Sequence, residues 1–127
     1  MTNPLSGAPV SYVYTAERER ALKFYGETLG LTVRDSDDYG DYLRMDNGAL
    51  LRLTVIKDHK AHEHPVVGWE VADIVATAQD LKARGVAFII YDGMGQDALG
   101  IWNSDDGKSK IAFFADPDGN ALMLTQA

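Results

Sequence analysis

Hydrophobic and polar positions along this chain form two series that resemble each other. Val10 to Tyr14 is β-branched and aromatic, as in a strand; from Ala16 to Thr28, Ala21, Leu22, Tyr25 and Leu29 then recur at helical spacing, and Gly30 follows as a stop. Strand patterns return over Leu31 to Asp35 and Asp41 to Met45. The second series opens with a strand over Val66 to Val71. Asp73 is placed to cap a helix whose apolar stripe is Ile74, Ala78 and Leu81, and Gly85 ends it before strands at Val86 to Tyr91 and Lys110 to Phe114. Both series close alike, because the segment from Gly48 to Thr54 superposes on Gly119 to Thr125 without a gap, with Gly, two Leu and Thr in common. Arg52 stands opposite Met123 in that alignment.

Each half therefore reads as strand, helix and three strands. The expected fold is α+β, with two tandem βαβββ modules over residues 9–56 and 66–126 and a polar hinge over 57–65, all within a single domain spanning 1–127. Asp116-Pro117-Asp118-Gly119 is a turn by its chemistry. The stretch from Gly93 to Gly107 is long and glycine-rich and contains Trp102, which suits a binding loop or a lid.

Composition narrows the function. With 127 residues, one core of ordinary size is expected. Nineteen acidic residues against twelve basic give a net charge of −7, which argues against nucleic acid or an anionic membrane surface as partner and favours a cationic ligand. There is no cysteine, so thiol nucleophiles, thiolate zinc sites and disulfides are excluded. The opening residues carry no secretory pattern, and the expected location is cytoplasmic. Serine-hydrolase, phosphate-loop and dinucleotide fingerprints are absent; Gly93-Met94-Gly95 lacks the third glycine and the helix of the last.

Phe24-Tyr25 with Leu29-Gly30-Leu31 in the first half, and Val71-Ala72-Asp73, Gly85-Val86 and Phe114-Ala-Asp-Pro-Asp-Gly-Asn120 in the second, resemble the vicinal oxygen chelate superfamily. Its members include glyoxalases, bleomycin-resistance proteins and extradiol dioxygenases, and the resemblance covers about residues 9 to 126. It implies curved mixed sheets around a cavity and a homodimer. It also implies four metal-ligand positions on the opening and closing strands of the modules, which here are Val10, Arg52, Val66 and Met123. None of these is a ligand of the His and Glu kind found in the family, and neighbours one residue away offer no substitute. No metal and no other cofactor is expected.

Strand alternation places Tyr12 and Tyr14 on the face of Val10, Glu70 on that of Val66, and Arg52 on the corresponding face of its own strand. The expected hollow is aromatic, with one arginine and one glutamate. Two functional readings follow. In the first, a metal-free protein sequesters a small organic molecule, aromatic or cationic and antibiotic-like, through Tyr12, Tyr14, Arg52, Glu70, Trp102 and Met123. In the second, Glu70 is a general base whose pKa is raised by burial, and Arg52 stabilises an oxyanion; the plainer possibility is that the two pair with each other. A scaffold without a site is the third class. His59, His62 and His64 read as a solvated hinge, and the acidic run from Asp35 to Asp46 as a hairpin in preference to a calcium loop.

Overall fold

A computed structural model describes residues 3–127 and divides the chain into two units, one ending at Asp58 and the other spanning His59–Ala127. The first contains β1 (Val10–Thr15), α1 (Arg18–Leu22) with a π-helical continuation (Lys23–Thr28), β2 (Thr32–Asp37), β3 (Gly40–Arg44) and β4 (Leu50–Val55). Its sheet runs in the order β1-β4-β3-β2, with β1 parallel to β4 and the other pairs antiparallel. Alternation decides the faces: Val13, Leu43, Leu51 and Leu53 are buried on one side together with Ala21 and Tyr25 of the helix.

The single helix expected over Ala16 to Thr28 is corrected here. Five α-helical residues give way to wider turns, and the Leu29 N–H donates to the Phe24 carbonyl, five residues back, at 2.9 Å. Gly26 lies in this stretch, where its weak helix propensity lowers the cost of leaving α-geometry. Gly30 then takes a φ of +79°, and the Leu31 N–H closes on the Tyr25 carbonyl at 3.0 Å.

The second unit contains β5 (Val67–Glu70), α2 (Ile74–Ala83), β6 (Ala87–Ile89), β7 (Ile101–Asn103), β8 (Lys110–Ala115) and β9 (Ala121–Gln126). Asp73 caps α2 by accepting from the Ala76 N–H at 3.1 Å, and Ile74, Ala78 and Leu81 are its buried face. The sheet order is β5-β9-β8-β6, and β7 also pairs with β8. Trp69 and Phe114 stack at 6.2 Å between ring centroids on the side of the buried Leu122 and Leu124.

Strand β7 lies inside the stretch from Gly93 to Gly107 expected as a loop, which corrects that expectation. It pairs with Lys110, Ile111 and Ala112 while β6 pairs with Phe113, Phe114 and Ala115, so the two lie in tandem along β8 as one interrupted strand. The strand, helix and three-strand pattern therefore survives, with an excursion inserted into its second strand. Gln96 ties that excursion down: its amide donates to the Ile89 and Gly100 carbonyls at 3.0 and 2.9 Å and accepts from the Tyr91 N–H at 2.7 Å. The rest of the stretch is a tight turn closed by the Ser104 N–H on the Ser109 carbonyl at 2.9 Å.

Candidate functional site

Each sheet has one face buried under its helix and one open face, and every candidate residue except Trp102 can be placed by the parallel pair that opens and closes its module. In the first unit Tyr12 of β1 and Tyr42 of β3 are both register partners of Arg52 in β4, so the three form one row across the open face. Strand β1 is an edge, which leaves Tyr12 57% and Tyr14 44% exposed. Arg52, in an inner strand, is only 8% exposed. Its Nη2 donates to Asp37 Oδ1 at 2.9 Å, and its guanidinium carbon lies 4.7 Å from the centre of the Tyr42 ring. Its Nη1 is buried and, among the described residues, has no hydrogen-bond partner.

Asp37 closes the β2–β3 hairpin. Oδ1 also accepts from the Tyr39 and Gly40 N–H groups at 2.8 and 3.0 Å, and these bonds, with that of Arg52 the strongest, hold the carboxyl below the usual range for aspartate. Burial opposes the charge on Arg52, but the Asp37 hydrogen bond outweighs it and leaves the guanidinium pKa raised. Arg34 approaches the same Tyr42 ring at 5.0 Å and is paired with Asp35 at 2.8 Å. On the opposite, helix-covered face, Arg18 forms a two-point pair with the buried Asp41 at 3.0 Å, and the Ser36 hydroxyl donates to that carboxylate at 2.6 Å.

In the second unit Glu70, Thr125, Ile111 and Trp102 are successive register partners across the open face, and Gly68, Met123, Phe113 and Ile89 form the row beside them. Glu70 is exposed, because β5 is an edge strand with a neighbour on one side only. Within its own unit Glu70 is solvated, and the carboxylate that pairs with Arg52 in the first unit is Asp37.

Sequence reasoning missed Asp37 and Tyr42. Alternation along β3 puts Tyr42 opposite in sense to Leu43, but its register with Arg52 belongs to the β3–β4 pairing, and the bulge between Val33 and Asp35 in the strand that ends at Asp37 was announced by no residue pattern. His59, read as part of a solvated hinge, is half-buried and its Nε2 meets Asn120 Oδ1 at 2.8 Å, while the Asn120 amide donates to Asp116 Oδ2 at 2.8 Å. The turn at Asp116 is thus part of a buried network as well as a hairpin end. His62 and His64 are exposed, and among the described residues no three His, Asp or Glu side chains gather as a metal ion would need.

A four-stranded module with its helix on one face, repeated with an interrupted strand, defines the fold of paired βαβββ modules. A family model described as the Glyoxalase/Bleomycin resistance protein/Dioxygenase superfamily matches residues 9–124, and the chain belongs to that superfamily, the vicinal oxygen chelate proteins. It is 32% identical over 111 residues to an uncharacterized protein of Mycolicibacterium smegmatis, covering 87% of this chain and 84% of the relative. Among solved structures it is similar to an integron cassette protein from the mobile metagenome of the Halifax Harbour sewage outfall, with a TM-score of 0.73 and 21% identity over 97% of this chain and all of the other. A glyoxalase/bleomycin resistance protein/dioxygenase from Alicyclobacillus acidocaldarius matches with a TM-score of 0.71 and 19% identity over 99% of this chain and 94% of its own.

The metal that many enzymes of this superfamily hold does not fit the residues present. Val10 and Val66 are alkyl, Met123 offers a thioether, and Arg52 brings a buried positive charge to a position where a divalent ion would need an electron-pair donor.

Proposed function

We propose that this protein binds a flat aromatic small molecule of the antibiotic-like kind without a metal, in the manner of the bleomycin-resistance branch of its superfamily, and that it does so as a cytoplasmic homodimer. The observation that carries the reading is the row Tyr12–Arg52–Tyr42, in which a buried cation and aromatic rings replace the ligand chemistry of the metalloenzymes. Apolar and aromatic walls supply affinity, while a few fixed polar groups supply orientation. Trp102 and Met123 line the open face of the second sheet with the same kind of chemistry.

Native mass spectrometry of tag-free protein, as purified and after addition of manganese, iron, nickel and zinc, tests all three elements together. The expected species has twice the 13.9 kDa chain mass, with no stoichiometric metal and with retained or readily added organic ligand. A stoichiometric metal that survives replacement of His59, His62 and His64 would restore the metalloenzyme reading.

A further inference from the structure

The Nη1 group of Arg52 is a charged donor, buried and without an acceptor among the described residues, while Nη2 of the same guanidinium donates to Asp37. Leaving such a donor unpaired is costly, and proteins rarely keep one without a use. Its surroundings restrict what the partner can be. Tyr42 covers the guanidinium at 4.7 Å, and Asp37 already spends Oδ1 on three donors. Tyr12, directly opposite Arg52 on an edge strand and more than half exposed, is the neighbour free to turn aside and to lie against an incoming ring.

Resting on the small-molecule reading above, we propose that Arg52 recognises the anionic oxygen of an aromatic acid, with Nη1 donating to a carboxylate and Tyr12 stacking on the ring. A guanidinium suits this role because its donors are rigid and its charge permanent, and a charge-assisted bond shielded from water is strong. The sign of the ligand is then opposite to the one suggested by the net charge of −7, since the buried charge on this face is a cation. Net charge governs the approach of a ligand, whereas a buried donor governs what is held.

The test titrates the full-length protein with benzoate, benzamide and benzamidine, which share a ring and differ in charge, and follows arginine side-chain and β1 and β4 amide signals by NMR. Benzoate is expected to saturate with shifts at Arg52 and Tyr12 and to bind at least tenfold more tightly than benzamidine. Arg52→Lys should lower benzoate affinity tenfold or more, while Asp37→Asn, which removes the competing carboxylate, should raise it several-fold. Should Arg52→Lys fail to fold, the ligand series on the wild type together with Asp37→Asn decides the matter. Saturable binding on the Tyr12 face with no preference for benzoate would overturn the anion proposal and leave the small-molecule reading standing. No saturable shift with any of the three would overturn both.

Discussion

Arg52 and Asp37 show how much a single residue pair changes the meaning of a site. A sequence reader sees an arginine where the family resemblance implies a metal ligand, and the repeat alignment with Met123 places it on a closing strand. It cannot see that a carboxylate from the preceding hairpin pairs with one side of the guanidinium, because Asp37 and Arg52 meet only through the β2–β3 hairpin and the β3–β4 register together. That carboxyl is held below its ordinary range, chiefly by the Arg52 hydrogen bond, so its contribution to stability is present above the unfolded aspartate value of about 4 and is lost as pH falls through the lower folded value. Acid unfolding followed by circular dichroism should therefore be less steep below about pH 4 in Asp37→Asn than in the wild type. Equal slopes would show that the pair adds nothing to folding.

At the scale of elements, backbone approach and capping decide the outcome. Gly40 is where β3 begins, and a Cβ there would run into the Leu53 carbonyl and the Thr54 Cα of β4. Gly40→Ala should cost about 1–3 kcal/mol in urea unfolding, the range for an overpacked interior, and by displacing β3 it should also disturb Tyr42 against Arg52. Removal of the α2 cap by Asp73→Ala is a milder change, expected to cost about 1 kcal/mol in the same assay. In the second unit the Asn120 side chain bridges His59 and Asp116 while almost completely buried. Asn120→Ala should cost about 2 kcal/mol by leaving buried polar groups short of a partner, and an unchanged midpoint would mean that water replaces it. Of these three, only the cap was legible in the residues, since capping is local. The Gly40 contact and the Asn120 bridge join residues far apart in the chain.

For the whole molecule, the donor set predicts that prolonged dialysis against zinc or nickel leaves no stoichiometric metal and no rise in Tm, read by elemental analysis and calorimetry; one bound ion per chain would contradict the chemistry of Val10, Arg52, Val66 and Met123. The doubled architecture itself was readable from one chain because hydrophobic alternation, glycine stops and the matched closing segments are properties of neighbouring residues. Gly48 and Gly119 take φ values of +90° and +86°, and Leu51, Leu53, Leu122 and Leu124 are all buried, as the alignment of the two halves requires. The helix following β1 departs into π-turns, and the loop before β8 supplies β7, because packing and available edge hydrogen bonds overrode local pattern there. Sequence by itself determined the module and its repetition, both of which depend on residue type and short-range order. Tertiary structure alone decided that Arg52 is paired with Asp37, flanked by Tyr12 and Tyr42 and left with one donor unused, because register and burial are set by contacts between distant strands.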